Sequence, residues 1–271
     1  MSGAEAKLGG FEDAVFRLDG ARAMPTRYAA GPWSPSLQHG SAPAAIIART
    51  AERIPTPSPM RVVRMTIDLM RPVPTAPLTI RWSMEREGRA IQIASISLFT
   101  DDGKEVVRAS VLKIRIDATE VPPASELCLD LPPPDSYPQS EPADLDNPFL
   151  SGVDVGIAKG AFRSPGPAAA WFRARRPIIA TEALTPLMRA SIAADFSNGT
   201  AAVLDLRKWT FVNADLTVTL SRDPIGEWIL LDAETWLAAN GAGIAAARLA
   251  DLNGYFGRAV QCLVVRPVAS P

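Results

Sequence analysis

Three polar residues stand out against apolar surroundings in the C-terminal half of this 271-residue chain. Asp195 follows Ile192-Ala193-Ala194 in a stretch that otherwise reads as core helix, and a carboxylate there carries a desolvation cost unless hydrogen bonds compensate it. Gln261 lies within the strand-like run Arg258-Ala259-Val260-Gln261-Cys262-Leu263, and Asn213 stands just before the alternating run Leu216–Leu220. Together they make a usable set of catalytic polar groups, because a carboxylate can exchange a proton and an amide both donates and accepts hydrogen bonds. Each also has a plainer reading. Asp195 fits capping of the Asn198-Gly199 turn, Gln261 fits an exposed strand face, and Asn213 fits turn chemistry in Asn213-Ala214-Asp215.

Other candidate chemistry is thinner. His39 is the sole histidine, but no G-x-S-x-G elbow is present to supply a nucleophile for a Ser-His-Asp triad. Its main chain, near a helix start, is therefore a better candidate than its imidazole. Cys128 and Cys262 lack metal-ligand spacing and lie in unlike settings, a linker and a strand, so free thiols in a reducing cytoplasm are expected. With no zinc spacing and no Gly-rich phosphate loop, neither a metal nor a cofactor is expected. Arg71 and Arg222 read as structural equivalents at sheet ends, and Trp33, Trp209 and Trp228 as core or pocket walls.

The elements that must position these groups occur twice. Val63 to Arg71 reappears in pattern as Ala214 to Arg222, with Met65, Ile67 and Leu69 answered by Leu216, Val218 and Leu220, at a shift of 151 residues (222 − 71 = 151). Gly103 and Gly254, at expected hairpin turns, keep that shift. In the first half the pattern predicts a strand over Ala14–Leu18, a helix with Ser41 as N-cap and Pro43 in its first turn, and strands over Val62–Met70, Leu78–Glu85, Ile91–Phe99 and Val106–Ile116. In the second it predicts a strand over Ala168–Arg175, a helix capped by Thr185-Pro186 and running towards Asp195, and strands over Leu216–Leu220, Trp228–Thr235, Ile244–Ala250 and Arg258–Val265. An additional piece, Asn198 to Trp209, separates helix from strand there. Val121–Phe149 holds eight prolines and six acidic residues without Lys or Arg, which reads as an extended linker. The expected organisation is a domain over 1–120, the linker over 121–149 and a second domain over 150–271. One helix and an antiparallel run of strands, twice, suggests two sheets that each wrap a central apolar helix, an α+β fold.

The copies share apolar periodicity and differ in polar residues. Val62 stands where the second copy has Asn213, and Val111 where it has Gln261. The counterpart of Asp195 is Gln38 or Ala51, depending on alignment, and neither is an acid. One working pocket, with side chains from the second half, is expected. The composition narrows partners further. Twenty-eight basic residues against 29 acidic ones give a net charge of −1, without the electrostatic footprint of a nucleic-acid or anionic-membrane binder. Apolar runs are too short to span a membrane, and Glu12 and Asp13 sit ahead of any apolar stretch, unlike a secretory signal. A cytoplasmic protein is expected.

Ala194-Asp195-Phe196, the segment Asp215 to Arg222 followed by Gly226-Glu227-Trp228-Ile229-Leu230, and Ala259-Val260-Gln261 resemble the acyl-CoA thioesterase II family of double hotdog proteins, as do Gln38-His39-Gly40 and Val73 to Ile80 in the first half. The resemblance covers most of the chain. It implies a double hotdog fold, an acyl-CoA substrate, a role in fatty acid metabolism, and a site in which an Asp, a Ser or Thr, and a Gln position the water that hydrolyses the thioester. Asp195 and Gln261 match that pattern; Asn213 occupies the hydroxyl position, a departure. Main-chain N–H groups of His39, Gly40 and Ser41 would then polarise the carbonyl oxygen. The alternative is a non-catalytic acyl-CoA or acyl-carrier binding protein. A hotdog hydratase would pair the Asp with a His a few residues later, and residues 196–200 contain none. Exposed sheet edges would admit further association into a homo-oligomer.

Overall fold

The computed structural model describes residues 13–117, 128–140, 147–161, 165–205 and 208–268. The expectations for the N-terminal twelve residues, for the first boundary near 120, and for linker residues 121–127 and 141–146 lie outside the described residues.

The first half contributes β1 (Phe16–Asp19), β2 (Arg22–Pro25), α1 (Ser41–Arg53), β3 (Met60–Leu69), β4 (Leu78–Glu87), β5 (Ile91–Thr100) and β6 (Glu105–Arg115). The rest contributes β7 (Gln139–Ser140), β8 (Val153–Lys159), β9 (Ala168–Ala174), α2 (Pro186–Asp195), α3 (Ser197–Thr200), β10 (Trp209–Asn213), β11 (Asp215–Leu220), β12 (Ile229–Leu237), β13 (Ala242–Asp251) and β14 (Gly254–Pro267). The predicted helices and long strands are all present. The second strand β2 had no signal in the sequence pattern. Part of the proline-rich segment forms the edge strand β7 on β8, and Pro132 there accepts the indole N–H of the buried Trp171.

The two expected sheets are one. Its order is β1-β2-β4-β5-β6-β3-β11-β14-β13-β12-β9-β8-β7, with β10 pairing β14 beside that path. The halves join where β3 pairs antiparallel with β11. Thr66 faces Thr217 directly, and the two hydroxyls are 3.2 Å apart across 151 residues of sequence. The repeat period is thus the distance between two residues that meet at the junction of the copies. Pairing these strands satisfies two rows of main-chain groups that separate sheets would leave unpaired. The far edges are short. The chain at Pro177–Ala180 also hydrogen-bonds to Val15 and Phe16 at the start of β1.

One continuous buried cluster spans both halves, with α1 and α2 packed on each other inside the sheet. α1 is rich in alanine (Ala42, Ala44, Ala45, Ala48 and Ala51, all buried). Alanine is the best helix former and has no long side chain to hold two helices apart. Thr185 caps α2 as predicted, accepting the Met188 N–H at 3.2 Å, with Pro186 opening the helix. Ser41 does not cap α1, contrary to the sequence reading. The N-cap position is Gly40, and Ser41 is the first helical residue. Trp33 is 56% exposed, so it is not part of the core, whereas Trp209 and Trp228 pack against buried clusters. Gly103 and Gly254 take positive φ at the two hairpin turns, as a residue without Cβ can. Helix α1 opens at Ser41 and α2 at Pro186, so counting from the two starts makes Thr50, next to Ala51, the positional counterpart of Asp195.

Candidate active site

Asp195 is the last residue of α2 and is 6% exposed. Its carboxylate is held on both oxygens. Oδ1 accepts from Asn213 Nδ2 at 3.2 Å and from Gln261 Nε2 at 3.2 Å. Oδ2 lies 3.0 Å from Ser41 Oγ, which donates to it, and 3.1 Å from His39 Nδ1. The structure therefore brings together all three second-half candidates and two of the first-half candidates as side chains. The third, Gly40, meets the carboxylate through its lack of one. A Cβ on Gly40 would stand 2.6 and 2.8 Å from the Asp195 oxygens. With φ at −58°, Gly40 is required for close approach and not for backbone conformation.

Each residue reaches the site for a local reason. Gln261 occupies an inward position of β14, between Ala259 and Leu263, and is fully buried. Its amide also donates to the Asp195 main-chain oxygen at 3.2 Å, while its Oε1 accepts the Asn198 N–H at 3.2 Å. Those bonds satisfy the open end of α2 and remove the exposed-strand reading of Gln261. Asn213 ends β10 at a one-residue bulge: it faces Leu263, whereas Thr217 on β11 faces Val260, so residues 213 to 217 span only 263 to 260. Asp215 Oδ1 takes the Cys262 N–H at 2.6 Å beside that bulge. Bulges re-aim side chains, and here the result is an amide directed at Asp195.

The electrostatics come from the other half. A carboxylate at the C-terminus of its own helix opposes the helix dipole, but Asp195 also abuts the N-terminus of α1, where the dipole favours negative charge. Three main-chain donors were expected there. His39 N–H is spent on Ala29 O and Ser41 N–H points at His39 Nδ1 at 3.1 Å. Among the described residues, the Gly40 N–H has no acceptor.

Sequence reasoning missed three contributions. The Ser41 hydroxyl bridges Asp195 and Ile192 O (3.1 Å). Asn198, in α3, tethers Gln261 and places Nδ2 3.5 Å from Asn213 Oδ1. The His39 imidazole touches the carboxylate, stacks on Phe149 (5.0 Å, 8°) and meets Phe196 at a tilt (4.9 Å, 37°). The polarity of Asn198, close behind Asp195 in the chain, was a usable signal. The His39 contact joins positions in opposite halves of the sequence and had none.

Nothing else competes for the chemistry. Among the described residues no cluster of His, Cys, Asp or Glu could hold a metal ion, and Cys128 and Cys262 are free and exposed. Arg222 forms a two-pronged ion pair with the buried Asp251, a structural role at the sheet end that Arg71 fills by bonding Glu105 O. A surface groove of about 350 Å³ is lined by Thr219, Ser221, Arg248, Tyr255 and Arg258. It lies on the face of β14 opposite Gln261, outside the site. No helix among the described residues is long and apolar enough to cross a membrane.

Comparison with known proteins places the fold and the family. Residues 29–114 match the family model of the acyl-CoA thioesterase N-terminal domain, and residues 129–265 that of the C-terminal domain. A hot dog protein of unknown function from Alicyclobacillus acidocaldarius superposes with a TM-score of 0.73 at 17% identity, covering 96% of this chain and 98% of that one. A candidate thioesterase II from Thermobifida fusca gives 0.72 at 16%, covering 94% and 96%. An acyl-CoA thioesterase II from Mycobacterium marinum gives 0.66 at 15%, covering 87% and 93%. At these identities the superpositions show the fold, an α+β double hotdog. Curated protein sequences returned no match. The two family models together span most of the sequence, and the chain belongs to the acyl-CoA thioesterase family.

Proposed function

We propose that the protein hydrolyses an acyl-CoA thioester to the free acid and coenzyme A, with a first hotdog over 1–120, a linker over 121–149 and the catalytic second hotdog over 150–271. The observation that carries this reading is the Asp195 carboxylate. It is buried, held on one oxygen by Asn213 and Gln261, and set against the start of α1. Asp195 removes a proton from water as the water oxygen bonds to the thioester carbon. The carbonyl electron pair moves to oxygen beside the Gly40 N–H. Collapse then breaks the C–S bond, and the pair leaves on the coenzyme A thiolate, which takes the proton. The second water proton is released as the product acid ionises. Thiolate is a good leaving group, so no covalent enzyme intermediate is needed.

Water needs an acceptor on Asp195, and Ser41 can free one. Its hydroxyl has one hydrogen and two acceptors, Asp195 Oδ2 and Ile192 O. Turning that hydrogen to Ile192 opens a lone pair on Oδ2. Asn213 fills the hydroxyl position by donating through its amide. The acyl chain would lie along the apolar surface between helix and sheet.

Asp195→Asn should lower the rate of acyl-CoA hydrolysis by about 10²–10⁴-fold, the usual worth of a general base, while acyl-CoA binding measured by calorimetry persists. An unmutated protein that turns over no member of a short, medium, long and aromatic acyl-CoA panel would sink the reading. One observation favours the second reading, an acyl-CoA or acyl-carrier binding protein without catalysis. A carboxylate offers about four lone-pair sites, and Asn213, Gln261 and Ser41 already donate to three of those on Asp195. If that arrangement is fixed, the panel shows binding without turnover.

A further inference from the structure

The outer face of the sheet differs between the copies in charge. In the first copy Arg108 on β6 faces Asp68 on β3 and Ser97 on β5, and Glu105 of its own strand grips it with two hydrogen bonds. The strand registers, with a bulge at the same place in each copy, make Arg258 on β14 its counterpart. Arg258 faces Thr219 on β11 and Arg248 on β13, and Tyr255 stands where Glu105 stood. Both carboxylates around Arg108 are thus uncharged groups around Arg258, and a serine has become a second arginine. One strand further on, Asp68 faces Asp215, whereas Thr219 faces Arg64. The same row reads Arg-Asp-Asp in one copy and Arg-Thr-Arg in the other.

This positive charge has no counterion on the sheet. Like charges at directly opposed strand positions are destabilising, and Arg248 is already taken by Asp232. Asp251, the other acid of β13, is taken by Arg222. Among the described residues the Arg64 and Arg258 side chains have no hydrogen-bond or ion-pair partner, and Arg64 Nε is buried without one. Arg61 donates through Nη2 to Ser221 O at 2.5 Å, and its Nε is also buried and unpaired. Thr219 stands between Arg64 and Arg258. Adjacent strands lie about 4.8 Å apart, so these two arginines are rooted about 10 Å apart and can converge over the Thr219 hydroxyl. Thr219 and Arg258 line the outer groove of about 350 Å³, together with Ser221, Arg248, Tyr255 and Phe256.

We propose that this groove is a second binding site, for a phosphate group that is either free or carried by a small ester. Arg258 and Arg64 are its cationic ligands, and the Thr219 hydroxyl is a third donor. A guanidinium presents paired N–H donors whose spacing matches two phosphate oxygens. A phosphate dianion supplies the negative charge that the first copy obtains from Asp68 and Glu105. A volume of about 350 Å³ falls within the range of small-ligand sites, so the groove has room for the body of an ester against Tyr255 and Phe256. The site lies on the face of the sheet opposite Gln261 and stands whether or not the protein hydrolyses thioesters.

Calorimetric titration of the full chain at fixed ionic strength tests this with inorganic phosphate, adenosine monophosphate and adenosine. Phosphate and the monophosphate should each bind at one site, and adenosine should not bind. Tighter binding of the monophosphate assigns the site to an ester, and equal affinities assign it to free phosphate. Arg258→Gln and Arg64→Gln should each weaken binding about tenfold, the worth of one charge-assisted hydrogen bond, and the double variant should abolish it. Arg108→Gln should leave binding within about twofold, because that residue lies three strands away, beyond the screening length at physiological salt. Since Arg258→Gln removes an unpaired charge opposite Arg248, its melting temperature without ligand should not fall, which separates lost binding from lost folding. Phosphate should raise the melting temperature of the unmutated protein and not that of the double variant. No binding of either phosphate compound at millimolar concentration would overturn the proposal. So would adenosine binding as tightly as the monophosphate, or undiminished binding in the double variant.

Discussion

The two central helices end in opposite ways. At the end of α1, Lys113 from β6 donates to Ile54 O at 2.7 Å and Gln92 from β5 donates to Pro55 O at 2.7 Å. Both side chains are buried and inward-facing, and a cation at a helix C-terminus complements the dipole. At the end of α2 an inward amide, Gln261, again meets the last carbonyl, but the charge beside it is the carboxylate of Asp195. That placement opposes the dipole of α2 and is compensated by the start of α1 and by donors from α1, β10 and β14. The first half uses its inward polar residues to finish a helix. The second uses them to hold a buried carboxylate that its own helix disfavours. Local conflicts of this kind mark functional sites in otherwise consistent folds.

The comparison can be broken from either side. Gln261→Val gives the second half the residue of the first and should have the largest effect. Hydrolysis should fall about 10²-fold, since Asp195 loses a donor and its orientation. Stability should drop by about 1–3 kcal/mol, because the buried Asn198 N–H loses its acceptor. Full activity in this variant would show that Gln261 only finishes α2. Lys113→Met tests the other end. Denaturant unfolding should show a loss of about 1–3 kcal/mol as the Ile54 carbonyl loses its donor. The hydrolysis rate should stay within threefold, because α1 separates Lys113 from Gly40 by about 20 Å. Burial pushes the Lys113 ammonium below its ordinary pKa of 10.5, partly offset by Glu52. The unfolded chain then binds more protons just below pH 10.5, so native stability should rise with pH there, and that slope should vanish in Lys113→Met.

The smallest effect is expected where the halves touch without chemistry. Arg49 on α1 grips Glu182 ahead of α2 with two hydrogen bonds, which hold the Glu182 carboxyl below its ordinary value of 4.5. A depressed carboxyl stabilises the fold above the unfolded pKa and loses that contribution as pH falls through the folded one. Glu182→Gln should cost about 1 kcal/mol at neutral pH, as partly exposed pairs do, and should shift the acid-unfolding midpoint upward. An unchanged acid midpoint would mean that the pair ties the halves together only in appearance.

Much of this was legible in residue order. The repeat identified two copies, alternation located β3, β5, β6 and β14, and the polar departures at Asn213 and Gln261 pointed to two of the groups that meet Asp195, whereas the Ser41 and His39 side chains of the first half, which also meet it, were not foreseen. The resemblance of Ala194-Asp195-Phe196 and Ala259-Val260-Gln261 pointed to the family that the chain matches. Ser41 misled, because a serine ahead of an alanine-rich helix has the signature of an N-cap. In the structure His39 Nδ1 faces the Ser41 N–H and the Ser41 hydroxyl turns to the partner helix instead. The bulge that aims Asn213 depends on a register between β10, β11 and β14, and no local pattern encodes a register between strands so far apart in the sequence.

The sequence by itself determined the repeat, the inward faces of β3 and β11, and which copy lost its apolar residues, because those are properties of periodicity along one strand; on β6 the alternation misled, since Lys113 faces inward and Ile114 outward. Only the tertiary structure decided that Asp195 would lie against Gly40 and His39. That contact forms when β3 and β11 pair and bring the end of α2 to the start of α1. It depends on a space that no side chain fills and on a histidine from the other half of the chain, and long-range packing leaves neither written in local order.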